Sequence, residues 1–357
     1  MCTISLCMIV KNEEATLWNC LNSAKDVVDE IIIVDTGSTD RSKEIASEFT
    51  DKIYDFEWIN DFAPARNFSF SHGTMDYILW LDADDVLLEE DQKKLIELKN
   101  NLDPSVDSVS MIYNYGFDQY GNVTLSFRRN RLVKRSRNFK WYGDCHVYLQ
   151  VNGKILDSDI CVSHKRVHHS TGRNLTIYEK RIAEGDQFTP RDYYYYANEL
   201  NENQMYEKAI ENYNIFLNMK EGWIEDKIAA TGRLADCYSI IGDAEKQKEA
   251  IFRSFEYDAP RPEMCCRLGY LLRKNQKYKA AKFWYELATK YERQKDNWGF
   301  FNEAYTTWVP NLNLCICSYY LGEYQKANEY NEIAGKYRPQ DKDVLHNREL
   351  LKSKLSK

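Results

Sequence analysis

The stretch Asp76-Tyr-Ile-Leu-Trp-Leu-Asp82-Ala-Asp84-Asp85 is an apolar run that stops abruptly at three carboxylates. Tyr77 to Leu81 has the length and the β-branched and aromatic content of a buried strand. The acids follow at its carboxyl end, where open α/β sheets place their ligands. Carboxylates crowded this closely repel one another and require a source of positive charge. A divalent cation carrying a phosphorylated substrate would supply it, because Mg²⁺ prefers one or two carboxylates plus phosphate oxygens. The same residues would also serve as a strand followed by an Asp-rich helix cap. Taken alone, the stretch does not choose between these readings.

On both sides of it, residues 1 to about 160 alternate strand and helix signals. Strands are expected at Thr3–Val10, Glu30–Asp35, Lys52–Phe56 and Tyr77–Leu81. Helices are expected at Glu13–Lys25, at Thr39–Phe49 with Ser38 or Thr39 as cap, and at Ala63–His72. That βαβα order predicts a mostly parallel sheet with right-handed crossovers. Around Val106–Tyr115, Val123–Arg131 and Cys145–Val151, further strands, some antiparallel, extend it.

From about residue 190 the pattern changes to helices punctuated by small and aromatic residues. Tyr196-Ala-x-x-Leu200 is followed by Tyr206-x-Lys-Ala209 and Tyr213; Leu268-Gly-x-x-Leu272 by Tyr278-x-x-Ala281 and Tyr285. Leu314 to Tyr319 leads into Gly322-Glu-Tyr-x-Lys-Ala327 and Pro339, and a weaker copy holds Leu234, Tyr238, Gly242-Asp243 and Pro260. Small residues let paired helices approach while large ones fill the groove between repeats. This is the signature of tetratricopeptide (TPR) helix pairs, with an insertion around Tyr291–Asn302. Such a solenoid offers a concave face for an extended partner; the plainer role is a stabilising or dimerising bundle.

The bulk numbers set outer limits. At 357 residues two domains are expected, here 1–180 and 181–357. With 48 basic and 55 acidic side chains the net charge is −7, which argues against a nucleic-acid binder. One run, Arg128–Lys140, holds seven Lys or Arg and no acid, and reads equally as a solvated loop face or an anion-facing loop. The C-terminal Lys336–Lys357, with seven basic and three acidic residues, reads as a solvated last helix in preference to a docking face for an acidic partner. No apolar stretch reaches membrane-spanning length, and the start lacks the basic flank and cleavage site of a signal peptide. Ten scattered cysteines form no framework, consistent with a reduced, cytoplasmic protein.

A second strand end, Ile31-Ile-Ile-Val-Asp35-Thr-Gly-Ser-Thr-Asp40, pairs an acid with a glycine turn and a helix start. Outward-pointing N–H groups there suit phosphate or ribose, although a simple capped βα loop needs the same residues. Cys7-Met-Ile-Val-Lys-Asn-Glu-Glu14, Ile33 to Asp40, Ala63-Pro-Ala-Arg-Asn67 and Leu79-Trp-Leu-Asp-Ala-Asp-Asp85 occur in order. Together they resemble family 2 glycosyltransferases of the GT-A type, over roughly residues 3 to 180. The branch is similar to lipopolysaccharide-core glucosyltransferases and to sublancin-type peptide S-glycosyltransferases, which carry a helical repeat extension. The resemblance implies a Rossmann-like, mostly parallel α/β sheet followed by an all-α TPR-like solenoid. It also implies a nucleotide-sugar donor, UDP-linked by preference, and a divalent metal, Mg²⁺ or Mn²⁺.

Carried onto this chain, the resemblance gives Asp82 to the donor's ribose or sugar and Asp84 to the metal that bridges the diphosphate. Asp85 supports them or caps the next helix. Asn12, Glu13, Asp35 and Thr36 line the nucleotide pocket, with Thr36 where many relatives have a second acid. Arg66 would face the diphosphate as a fixed cation. Arg137-Asn-Phe-Lys-Trp-Tyr-Gly-Asp-Cys-His146-Val resembles a segment ending in His-Glu, but Val147 stands at the Glu position. The base that inversion requires is then sought in Asp144 or His146. A thiol acceptor would demand less of it, being partly ionised near neutral pH. His164 matches a histidine expected near the metal, whereas His168-His169 read as loop residues. Trp141 and Tyr142 would stack an acceptor or fill the core.

The leading expectation is a metal-dependent inverting transferase that moves a hexose or N-acetylhexosamine to a hydroxyl or thiol. The favoured acceptor is a peptide or protein docked by the repeats; a lipopolysaccharide-core or other glycan is the alternative. A homodimer is compatible with the repeats. A TPR adaptor with a relic nucleotide domain would have no reason to keep Arg66, Asp35, Asp82 and Asp84 together. A nucleotidyltransferase would need a Gly-rich first loop, and residues 7 to 14 contain no glycine.

Overall fold

The computed structural model describes residues 1–165, 172–292 and 298–356. In chain order the first elements are β1 (Ile4–Val10), α1 (Leu17–Ala24), β2 (Glu30–Asp35), α2 (Ser42–Ser47), β3 (Ile53–Asp55), α3 (Phe62–His72) and β4 (Tyr77–Trp80). Then come β5 (Asp85–Val86), α4 (Glu89–Asn101), β6 (Ser108–Phe117), β7 (Val123–Lys134), β8 (Lys140–Tyr142), β9 (Tyr148–Gln150), β10 (Ile155–His164) and α5 (Arg173–Ala183). Eight strands form one mixed sheet in the order β3-β2-β1-β4-β7-β6-β10-β5, and β8-β9 form a separate antiparallel pair. The β3-β2-β1-β4 half is parallel, as are β6 and β10, while β4–β7 and β5–β10 run antiparallel.

Strands buried on both faces need continuous apolar runs, and alternation sends neighbouring residues to opposite cores. Ile4, Leu6, Met8 and Val10 of β1 join Leu17 and Leu21 of α1 and Leu95 of α4 on one face. Cys7, Ile32, Ile78 and Trp80 point the other way, onto Phe70 of α3 and Trp141 of β8. A buried carboxylate ties the amino-terminal edge together. Glu30 accepts hydrogen bonds from Ser5, from Lys52, and from the Thr74 N–H (2.8 Å) and hydroxyl (2.9 Å). Burial pushes its pKa up, but these donors outweigh burial and hold it at about 2.

Several boundaries differ from the sequence pattern for local reasons. The first helix begins at Leu17 rather than Glu13, because Asn12 adopts left-handed backbone (φ 55°) and the chain turns before entering α1. The second begins at Ser42, since Ser38 and Thr39 are engaged elsewhere: Ser38 Oγ accepts the Asn12 N–H and the Thr39 N–H donates to Asn12 Oδ1. The strand expected across Cys145–Val151 shrinks to β9 and folds back on β8. The basic run is neither kind of loop over most of its length: it forms the end of β7, a 3₁₀ turn at Arg135–Arg137 and the start of β8.

The second half continues as α6 (Pro190–Glu202), α7 (Tyr206–Asn218), α8 (Ile224–Ile241), α9 (Ala244–Arg253), α10 (Pro262–Lys274), α11 (Tyr278–Thr289), α12 (Trp308–Tyr320), α13 (Tyr324–Tyr337) and α14 (Lys342–Leu355). The helices pack as sequential hairpins, α6/α7 to α12/α13, with α14 against α13. Ala209, Ala281 and Ala327 are fully buried at the expected close approaches. Gly269 serves the same purpose: a Cβ there would lie 2.8 Å from the Tyr285 ring. The insertion expected around Tyr291–Asn302 separates α11 from α12, and residues 293–297 of it lie outside the described residues. All ten cysteines are unbridged. Among the described residues no helix is long and apolar enough to cross a membrane. The chain divides into two compact units, Met1–Tyr115 with Ser126–Arg181, and Gly116–Leu125 with Ile182–Lys357.

Two pH effects follow. Glu30 is stabilising above its ordinary pKa, and that contribution disappears as pH falls from about 4.5 toward 2. Glu30→Gln should therefore lower stability at pH 7 by on the order of 2 kcal/mol, allowing for the half-exposed Lys52 partner, and flatten the acid limb of a denaturant-monitored pH profile. In α8, Asp226 is buried and its Oδ1 has no hydrogen-bond partner among the described residues. Burial lifts its pKa to about 7, against the pull of Arg191 and with Glu225 adding to the rise. A raised carboxylate costs stability as pH climbs from its ordinary value of about 4 to about 7, and the loss levels off above that. Thermal melts should show Asp226→Asn more stable than the parent at pH 8 and equal to it near pH 4.

Candidate active site

The parallel strands β1, β2 and β4 end at one edge of the sheet, and the loops leaving them are tied to each other. Asp35, the last residue of β2, is buried and accepts the N–H groups of Gly37 and Ser38, each at 3.0 Å. Gly37 takes φ 95°, which allows the chain to fold over that carboxylate. Thr36 is buried and donates its hydroxyl to Val10 O at 3.1 Å. The Glu13 N–H donates to Ser42 Oγ, and the Glu13 carboxylate accepts from Thr16. Asn12, Glu13, Asp35 and Thr36 thus stand together on the β1 and β2 loops, with Asp35 and Thr36 structurally engaged.

The acids after β4 lie beside this edge. Arg66, from α3, donates to Asp82 Oδ1, and Arg129 Nη1 stands 4.0 Å from Asp82 Oδ2. Burial raises the Asp82 pKa, but the charges of Arg66, Arg131 and Arg129 overcome it and hold the carboxyl well below its ordinary range. Asp85 is no simple helix cap. It is fully buried, and its Oδ2 accepts from Arg131 Nη1 and from the Asp82 N–H at 2.9 Å each, while Oδ1 faces His164 Nδ1 at 3.5 Å.

A short antiparallel pairing completes the cluster by setting His164 of β10 opposite Asp85 of β5. His164 Nδ1 lies 3.3 Å from Asp84 Oδ1, 3.5 Å from Asp85 Oδ1 and 2.9 Å from the Tyr113 hydroxyl. Tyr115 stacks on the imidazole at 4.9 Å. Burial lowers the His164 pKa, yet hydrogen bonds and charge from Asp84 and Asp85 raise it to about 9. The three side chains offer ligand atoms within 4.8 Å of one another. The two hard carboxylate oxygens of Asp84 and Asp85 suit Mg²⁺ or Mn²⁺, with the His164 imidazole as a third ligand atom beside them.

Arg129 and Arg131 were not legible as site residues within the basic run. Their signal is the two-residue spacing, which puts both on one face of a strand while Arg128 turns away to Ser110 and the Ser158 carbonyl. Arg131 is fully buried, with its guanidinium 3.9 Å from the Trp80 ring centre. A cavity of about 540 Å³ opens beside Asp84, bounded by Thr16, Asn19, Asn22, Leu87 and Lys165.

The residues considered as base are engaged elsewhere. Asp144 pairs with Arg181 Nε at 2.8 Å, and His146 stacks on Tyr178 at 6.1 Å. A base role for Asp144 would require that ion pair to open. Val147 packs against the second core, as an apolar side chain at that position should. Trp141 is core, with Arg66 over its ring at 4.8 Å, whereas Tyr142 is exposed and stacks on Tyr148. His168 and His169 lie outside the described residues.

Residues 5–159 match the model of the family described as glycosyl transferase family 2. A TPR repeat-containing protein of Synechococcus elongatus is 47% identical over 103 residues, 29% of this chain and 25% of the relative. The SPbeta prophage-derived glycosyltransferase SunS of Bacillus subtilis is 29% identical over 219 residues, 58% of this chain and 52% of the relative. An uncharacterized glycosyltransferase of Rickettsia felis is 37% identical over 92 residues, 26% of this chain and 32% of the relative. The chain spans between a quarter and about half the length of these relatives. Residues 5–159 are thus similar to glycosyl transferase family 2, and sequential helical hairpins follow them in the same chain.

Proposed function

We propose that the protein is a metal-dependent inverting glycosyltransferase that takes a hexose or N-acetylhexosamine from a nucleotide-sugar, UDP-linked by preference. The observation that carries this reading is the cluster of Asp82, Asp84, Asp85 and His164 at the edge where β1, β2 and β4 end. Asp84, Asp85 and His164 would hold Mg²⁺ or Mn²⁺. When bound, the cation supplies Lewis-acid stabilisation to a departing diphosphate. Asp82 then accepts from a donor hydroxyl, and Arg66, already at that carboxylate, turns a fixed cation toward the charge that develops on the leaving group. The acceptor oxygen or sulfur attacks the anomeric carbon from the opposite face while its proton passes to a base. The bond to the nucleoside diphosphate breaks in the same displacement.

For the acceptor, the resemblance to peptide S-glycosyltransferases with helical extensions favours a peptide or protein held by the repeats. The absence of a carboxylate at Val147 fits a thiol, which leaves less proton transfer to be catalysed. A cytoplasmic setting, with the ten thiols reduced, belongs to the same reading.

Purified protein offered nucleotide-sugars with and without Mn²⁺ should turn over only with the metal. Asp84→Ala should lose at least ~100-fold in kcat, as for removal of a strong electrostatic contribution worth ~3 kcal/mol. Metal-independent turnover, or an unimpaired Asp84→Ala enzyme, would exclude the role given to that carboxylate. With paired peptides that differ only in Cys or Ser at the acceptor position, mass spectrometry should find the Cys peptide glycosylated faster. Equal rates would remove the thiol preference.

A further inference from the structure

We infer that Arg129 is a diphosphate-binding residue, a second cation that grips the leaving nucleotide alongside Arg66; this rests on the nucleotide-sugar reading above. The strand position is the first argument. Arg129 shares its face of β7 with Arg131, so both reach the acid cluster, but the two side chains are held differently. Arg131 is sealed and bonded to Asp85. The Arg129 side chain is 35% exposed, and its guanidinium makes no hydrogen bond among the described residues. Asp82, its nearest acid contact, stands 4.0 Å away and takes its hydrogen bond from Arg66 instead.

The guanidinium is nevertheless fixed. Three aromatic rings surround it, with centres at 5.5 Å (Trp80), 5.0 Å (Tyr113) and 5.2 Å (Phe127). Ring faces attract a cation without occupying its N–H groups. The planar fork therefore stays available for bidentate contact with phosphate oxygens, a geometry that lysine cannot match. A structural arginine would place its donors on carbonyls, as Arg128 does with Ser158. An arginine that only neutralised Asp82 would duplicate Arg66. An oriented cation with its donors unengaged, at the mouth of an acid cluster that would hold a metal–diphosphate, is placed to receive an anion.

Calorimetric titration of the full chain with a panel of nucleoside diphosphates in Mn²⁺ tests this. The parent should bind one of them, and Arg129→Met should bind it at least tenfold more weakly. Lys140→Met, which removes one charge from an exposed site in the same basic run, should bind within twofold of the parent. Arg129→Lys should fall between parent and Arg129→Met, and it decides the matter if Arg129→Met fails to fold in a thermal melt. A parent that binds no nucleoside diphosphate overturns the nucleotide-sugar reading itself. A parent that binds while Arg129→Met binds equally well overturns only the role of Arg129. Equal losses in Arg129→Met and Lys140→Met would reduce the effect to bulk charge and also overturn it.

Discussion

Three carboxylates within four residues cannot sit together at a protected edge unless charge of the opposite sign is built around them. Here Arg66 comes from α3, Arg129 and Arg131 from β7, and His164 from β10. Each cation treats its acid differently. Arg66 hydrogen-bonds Asp82 and Arg131 seals Asp85, whereas Arg129 stands at a distance. The sheet order is what allows this, because β7 and the β6–β10 pair lie beyond β4 and close the cluster from the side away from the loops after β1 and β2. Burying the Arg131–Asp85 pair is costly without full compensation, and two aromatic rings and the Asp82 N–H share that burden. What results is a set of acids oriented before any ligand arrives, as electrostatic preorganisation requires.

Much of this architecture is legible in the sequence because it is written in runs. The apolar strands Ile4–Val10, Glu30–Asp35 and Tyr77–Trp80 and the small-residue helix hairpins are periodic over many residues, so neighbours reinforce one another. What escaped is short or depends on pairing. A two-residue strand at Asp85–Val86 has no period to read, yet its register places His164. The two arginines were masked by a run that looks uniformly basic, and only strand alternation separates them from Arg128. The loops after β1 and β2 exchange hydrogen bonds across 26 or 27 positions, which moved both helix starts away from their apparent caps.

The candidate site divides along the same line. Asp82, Asp84 and Arg66 belong to compact motifs, and the structure brings them together with Asp85. Asp144 and His146 stand near Val147 in the sequence, and in the structure Asp144 pairs with Arg181 while His146 stacks on Tyr178. A nucleophile's proton acceptor depends on where the acceptor lies, and neither the motif nor the sheet encodes that directly.

The pairing of β5 with β10 has a further consequence, for where this domain can be cut. The match to the family model ends at residue 159, five residues short of His164. A fragment trimmed to that limit would keep the acids through Asp85 and still lose His164, which lies opposite them. The unit that similarity delimits is thus smaller than the unit that electrostatics requires.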